Sequence, residues 1–550
     1  MKKLLLSALA LTLATLTNAQ SNFITVWTST TTITSLDFYA VTQGGAVNYT
    51  WTAAPSGNSG VGSFTQLTFG VKTATLNAPA NNTVTISMAP NNLKMWGTNY
   101  LPDGLKLIDV SQWGSSNWTG INFGGAENLN ISATDIPNLS SVTDLYQTFS
   151  DCKKLTGPNN INAWDVSTVN NLYYTFQNCS LFNQPLSNWN VGSVTTMEGL
   201  FQGTSSFNQN LSTWNTSSVT SMNATFRNAT AFNQPLNTWN VANVTTMYDM
   251  FNEATAFNQP LNNWNTVSVA DMGWMFHKAS NFNQNINSWN TSNVTNMFTM
   301  FYGASAFNQP LNNWNTSNVT TMQAMFAEAT NFNQPLNSWN LSNVTSIGAM
   351  FVDADNFNQP LDNWNTGQVI DMNGAFGSFN SFNQNIGNWD LHSVIYSYNM
   401  LGGVAMDCNN YSATLIGWST NTLTPNNLDL GTLPSITYGT NAVSARANLT
   451  GTKSWTITGD MAGSTNCSLT TGITSNEINN SLSIYPNPVQ NVITINSSIA
   501  LNKIIVTDVL GKTVLSLSTN DATASVDLSA LNGGVYFITT NGVTKKIIKE

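Results

Sequence analysis

Large apolar residues recur along the middle of the chain with a fixed period. The triplet Phe-Asn-Gln begins at Phe182, Phe207, Phe232, Phe257, Phe282, Phe307, Phe332, Phe357 and Phe382, always 25 residues apart. A tryptophan keeps step with it at Trp189, Trp214, Trp239, Trp264, Trp289, Trp314, Trp339, Trp364 and Trp389. In the unit Phe307–Asn331 the apolar columns are Phe307, Leu311, Trp314, Val319, Met322, Met325 and Phe326. Val319, Met322 and Phe326 stand three and four residues apart, which predicts one face of a short helix with Ser317 as its N-cap. Pro310 and the Leu311–Trp314 stretch predict a turn and a short extended segment. One such unit has too few apolar groups to close a core, whereas stacked units continue each column from turn to turn. The expected fold of residues 105–400 is therefore an α+β repeat solenoid, with a short strand and a short helix per 25-residue turn. Asn308, Gln309 and Asn315 recur as regularly, and are read as bonding the backbone of neighbouring turns. The Trp column is read as core.

Outside the repeat the pattern changes. Residues 20–104 alternate apolar and polar positions in β-branched and aromatic runs such as Phe23–Thr28 and Val47–Ala54, which predicts a β-sandwich-like domain. After the last unit, residues 401–467 break the period and are read as a C-terminal cap over the exposed end of the array. Residues 468–480 are polar and read as a linker. Residues 481–550 return to strand-like runs, among them Val492–Ile495 and Ile504–Val506, and predict a second β-sandwich. At the start, Lys2 and Lys3, the apolar run Leu4–Leu16 and Thr17-Asn18-Ala19 predict a signal peptide over residues 1–19. No later stretch reaches the ~20 apolar residues that span a bilayer. The expectation is an exported chain.

Composition narrows the partners. Only 8% of residues are charged, and the formal net charge is −10. Clustered Lys and Arg, which a nucleic acid or an anionic membrane requires, are lacking. Four cysteines permit disulfides in an exported chain, and Cys152 with Cys179 or Cys408 with Cys467 are the pairs considered. Their connectivity does not follow from sequence.

The chemistry-bearing residues are sparse. His277 and His392 are the two histidines, and between residues 176 and 401 Arg227 and Lys278 face ten carboxylates. No nucleophile triad, phosphate loop or metal-ligand spacing is found. The best enzymatic case is a carboxylate pair, Asp249 with Glu253 or Asp353 with Asp355. Yet Glu253, Lys278, Glu328 and Asp353 share a column with Gly203, Asn228, Gly303 and Ser378, which reads as a solvated face. The expectation is no catalytic, cofactor or metal site. Tyr248, Trp274 and Phe298 vary between turns and are candidates for an exposed aromatic patch.

The unit x-Val-Thr-x-Met-x-x-Met-Phe-x-x-Ala-x-x-Phe-Asn-Gln-x-Leu-x-x-Trp-Asn resembles the repeat of BspA-like leucine-rich-repeat surface proteins. Leu107–Gly114 and Ile131–Pro137 are similar to that family's N-terminal cap. The resemblance implies a leucine-rich-repeat-like solenoid, surface display, and binding of glycans or proteins, with adhesion ranked above a structural coat. Residues 20–104 look like a PKD-like domain, although the usual Trp-Gly-Asp-Gly turn is replaced by Trp51-Thr52-Ala53-Ala54-Pro55. Residues 481–550, from Tyr485-Pro486-Asn487-Pro488 through Gly534-Val535-Tyr536 to the basic Lys545–Lys549, resemble the C-terminal sorting domain of the type IX secretion system. That implies the secretion machinery as a partner, and release or attachment at the outer surface.

Overall fold

Alternation along Val47–Ala54 buries every second side chain, so this segment lays one face on a core and the other in solvent. The same logic builds ten strands near the N-terminus of this computed structural model. They are β1 (Phe23–Thr28), β2 (Ile33–Thr42), β3 (Val47–Ala54), β4 (Ser59–Phe64), β5 (Gly70–Ala78), β6 (Thr83–Met88), β7 (Leu93–Gly97), β8 (Leu107–Gln112), β9 (Gly120–Asn122) and β10 (Asn130–Ile131). They form a six-stranded sheet, β10-β8-β1-β6-β3-β4, and a four-stranded sheet, β5-β2-β7-β9. Phe23 packs edge-on against Trp96 and Trp118, at 5.2 and 5.0 Å between ring centroids. The structure describes residues 20–468 except 379, 380 and 435, and residues 483–550 except 487, 498, 499, 502, 509–511, 541 and 542. The expected signal peptide, and all of the expected linker but residue 468, lie outside the described residues.

Between residues 144 and 396 the backbone makes parallel single-residue bridges from turn to turn, for example Asn296 to Thr321 to Ser346 to Asp371. The α+β solenoid expected from the sequence is overturned here. Regular structure among the described residues is mostly β-strand in several sheets, and its two α-helices, α1 (Cys408–Thr420) and α2 (Val443–Ala447), lie outside the repeat. No described turn contains the expected α-helix. In the segment read as helical, Met322, Ala324, Phe326 and Glu328 donate their N–H groups to Ser346, Gly348, Met350 and Val352 of the next turn, at 2.7–3.0 Å. Ala324 and Glu328 have φ of 53° and 57°, outside any right-handed helix. The segment is a run of tight turns, with bonds such as Met325 N–H to Met322 O, and Ser317 N–H is held by Asn315 Oδ1 at 3.0 Å. The helical spacing arises because these turns also bury Met322, Met325, Phe326 and Ala329.

The columns themselves are continuous. Phe307 stacks on Phe332 at 5.9 Å and Phe301 on Phe326 at 5.6 Å. Each Trp indole N–H bonds a carbonyl of the preceding turn, as Trp314 does to Ile286 O at 3.1 Å. Asn308 Oδ1 accepts from Asn333 N–H and from the Gln334 amide at 3.0 and 2.9 Å, and this double contact recurs from turn to turn. The array ends under α1, whose N-cap Asp407 accepts from Asn410 N–H, and Thr414 Oγ1 receives Ile386 N–H at 3.1 Å. Beyond α1 come β11 (Asp429–Thr432), β12 (Thr437–Tyr438), β13 (Thr456–Thr458) and β14 (Met461–Ala462), paired β11 with β13 and β12 with β14. Cys408 and Cys467 are bonded, with their Cα atoms 5.7 Å apart, while Cys152 and Cys179 are free and buried.

The C-terminal unit has its own core of Val489, Ile493, Ile495, Leu501, Ile504, Val506, Val526, Leu528, Ile538 and Ile547. Its strands are β15 (Ser483–Tyr485), β16 (Val492–Asn496), β17 (Lys503–Thr507), β18 (Thr513–Ser518), β19 (Thr523–Asp527), β20 (Gly534–Thr540) and β21 (Val543–Lys549). They form a three-stranded sheet, β15-β16-β19, and a four-stranded sheet, β18-β17-β20-β21.

Candidate binding face

Departures from the repeat consensus gather on one strip of the array, built from the run of tight turns. Two positions in each turn take positive φ. One column holds Tyr174, Gly199, Ala224, Asp249, Trp274, Thr299, Ala324, Ala349 and Gly374; the other, four residues later, holds Asn178, Gly203, Asn228, Glu253, Lys278, Gly303, Glu328, Asp353 and Ser378. A left-handed conformation costs an L-residue of order 1–2 kcal/mol, which accounts for the Gly and Asn at several of these places. The second column is the one that admitted Gly, Lys and Asp together. Its tolerance therefore has a backbone origin as well as an exposed one. Trp274 at φ 59° and Thr299 at φ 50° keep a bulky and a β-branched side chain where such residues are outliers.

The middle turns bring polar groups together across this strip. Arg227 Nη1 lies 2.8 Å from Asp249 Oδ2, and Asp249 is almost wholly buried. Burial raises the Asp249 carboxyl above its ordinary range, opposed by the Asn252 hydrogen bond and by Arg227. Asn252 Nδ2 donates to Asp249 Oδ1, and Asn252 Oδ1 lies 2.9 Å from His277 Nδ1. His277 is 7% exposed and sits between the rings of Trp274, at 4.3 Å, and Tyr302, at 4.9 Å. Burial first, then the Lys278 and Arg227 charges, depress its pKa to about 4. The Tyr302 hydroxyl donates to Glu328 Oε1, and that bond, followed by burial, pushes the phenol up to about 12.

Of the aromatic candidates, Trp274 and Phe298 are half-buried neighbours at 5.9 Å, and Tyr248 is 37% exposed. Gly273 stands between Tyr248 and Phe298 in their column, and a Cβ there would lie 3.2 Å from the Tyr248 ring. Tyr248 thus leans across the gap. Both carboxylate pairs lie on this strip. Asp249 is committed to Arg227 and Asn252, whereas Asp353 is raised by burial and by the charges of Asp355 and Glu328. His392 is elsewhere, 2.9 Å from Asp390 on an exposed turn. Among the described residues no group of three or more His, Cys, Asp or Glu is placed to hold a metal ion. Sequence reasoning missed Asn252, Thr299 and Tyr302 as members of the face. Their signal was present as consensus-breaking positions in or beside the two positive-φ columns.

Comparison with known proteins matches two parts of the chain. The family described as Mycoplasma protein of unknown function, DUF285, matches in overlapping stretches, 119–237, 188–285, 220–337, 260–359 and 306–418. A family described as secretion system C-terminal sorting domain matches residues 483–550. No curated protein and no solved structure matches the chain. Among the described residues no helix is long and apolar enough to cross a membrane. The C-terminal unit is thus a sorting tail that directs secretion by the type IX system, and through its repeats, which fill more than half its length, the chain belongs to the DUF285 family.

Proposed function

We propose that this is a non-catalytic binding protein of the cell surface, whose ligand meets the strip that carries Tyr248, Trp274, His277, Phe298 and Tyr302. The observation that supports it is the retention of Trp274 and Thr299 at positive φ in a column that after Tyr174 otherwise holds Gly, Ala and Asp. Strain of that kind persists where something other than stability maintains it. The remaining faces repeat Asn, Thr and Ser bonded between turns, as Thr320 Oγ1 is to Thr295 O at 3.0 Å, and would serve as scaffold. Within this reading the sorting tail exports the chain and leaves the array attached at the outer surface, where it acts in adhesion to a glycan or protein. The test is binding of the purified chain, residues 20–550, to arrays of glycans and extracellular-matrix proteins. Saturable binding that Trp274→Ala abolishes supports the reading. Silence on both arrays overturns it and leaves a structural coat protein.

A further inference from the structure

We infer that the ledge formed by Trp274, His277, Tyr302 and Glu328 is a subsite for a neutral pyranose sugar. This deepens the binding role proposed above and rests on it.

The hydrogen-bond directions fix what His277 offers. A carboxylate accepts only, so Asn252 must turn its NH2 toward Asp249, which directs its carbonyl oxygen to His277. His277 therefore donates from Nδ1, and in the neutral ring Nε2 is left as an acceptor. Nε2 makes no hydrogen bond among the described residues, while the ring stacks on Tyr302 and lies against Trp274. Asp249 is anchored in turn by Arg227, so the chain of contacts runs over three turns and ends on one oriented lone pair.

The neighbouring turns add a carboxylate to the same strip and a buried threonine beneath it. Thr299 follows Trp274 in its column, and its buried Oγ1, without a hydrogen-bond partner among the described residues, lies under the ledge and does not face the ligand. Tyr302 N–H donates to Thr299 O at 3.1 Å, which holds the two residues on one tight turn. The Glu328 carboxylate takes the Tyr302 hydroxyl and keeps lone pairs for others. Lys278 lies along Gly303, its Cγ 2.9 Å from where a Cβ would stand, and Glu328 Oε2 is 3.8 Å from the same point. A half-exposed indole beside an oriented acceptor and a carboxylate complements a ring with an apolar C–H face and a hydroxyl rim. Carboxylates at Glu253, Glu328 and Asp353 disfavour an anionic sugar, and Arg227 with Lys278 disfavours a strongly cationic ligand.

The test is calorimetric titration of the mature full chain with neutral hexasaccharides of glucose, mannose and galactose, and with hexagalacturonate as an anionic comparator. At least one neutral hexasaccharide should bind, and the anionic one at least about tenfold more weakly. Trp274→Ala should weaken the neutral sugar about tenfold or more. His277→Phe keeps the ring stack and removes Nε2, and should weaken it several-fold. Circular dichroism and thermal melting verify that both variants fold, and Lys278→Ala, on the rim, gives a further folded probe with a smaller loss. Neutral sugars that fail to bind, or that bind Trp274→Ala and His277→Phe as well as the parent, overturn the inference. If sugars fail while a matrix protein binds through Trp274, the binding face stands and the pyranose subsite falls; failure of both removes both.

Discussion

Asn252 Oδ1 and His277 Nδ1 lie 2.9 Å apart across one 25-residue step of the array. The contact couples a neutral imidazole to the buried Asp249–Arg227 pair. Burial of that imidazole, with the charges of Lys278 and Arg227, makes the fold sensitive to acid. The His277 pKa is about 4 in the folded chain, against roughly 6.5 for an unfolded histidine.

Between those two values the unfolded chain binds more protons at His277 than the folded chain. This contribution to stability is therefore complete above about pH 6.5 and is lost as the pH falls toward 4. Asp249, Asp271 and Asp353 have raised pKa values and act in the opposite sense, gaining stability as they protonate. Replacement isolates the histidine. Urea midpoints for parent and His277→Gln, measured at pH 7.0 and in steps toward the acid range, should differ in slope, with the parent falling more steeply. Parallel slopes would show that His277 titrates normally.

The asparagine column should carry more stability than its polarity suggests. Asn308→Ala removes the acceptor shared by Asn333 N–H and the Gln334 amide, and should cost about 1–3 kcal/mol. Asn315→Ala removes only an exposed turn contact to Ser317 N–H and should cost less than about 1 kcal/mol. Equal losses in chemical denaturation would contradict the ladder's structural role.

Sequence reading reached the period, the stacked Phe and Trp columns and the sorting tail because each is a pattern of residue types at fixed separations. It missed the backbone of the repeat. Met322, Met325, Phe326 and Ala329 satisfy helical spacing, yet their segment sends alternate N–H groups to the next turn. Only the glycines at 199, 203, 303 and 374 and the asparagines at 178 and 228 hinted at positive φ. Trp274, Tyr248 and Phe298 were legible as varying positions. Tyr302 and Asn252 also break the consensus, yet their roles depend on hydrogen bonds between turns, which no spacing rule encodes, and that of Thr299 depends on its backbone conformation.

The positive-φ column yields paired expectations. Thr299→Gly removes a β-branched side chain from a left-handed position together with a buried, unpartnered hydroxyl. It should raise stability by about 1 kcal/mol. Gly199→Ala should do the reverse to stability, because its new Cβ would run into the Tyr174 ring at φ 60°. Thermal melts of the two variants decide the matter, and a destabilised Thr299→Gly would remove the strain argument for the binding face.

The cysteines separate by environment. Cys152 and Cys179 are buried with their thiol groups bonded to Phe123 O and Phe149 O at 3.4 and 2.9 Å, and burial pushes both thiols well up. Neither should react with iodoacetamide at neutral pH until the chain unfolds, because the thiolate is the reactive form. Mass spectrometry should then find no label on the native chain, labels on these two after denaturation, and labels on all four after reduction as well. Cys408 opens α1 and Cys467 follows β14, so their bond closes a loop of 59 residues over the end of the array. In the chain-entropy account a loop of that size is worth about 4 kcal/mol. Reduction should therefore lower the melting temperature of the repeat unit and leave the separate core around Ile493 and Val526 unaffected. A label on Cys408 or Cys467 before reduction would show that the bond does not form.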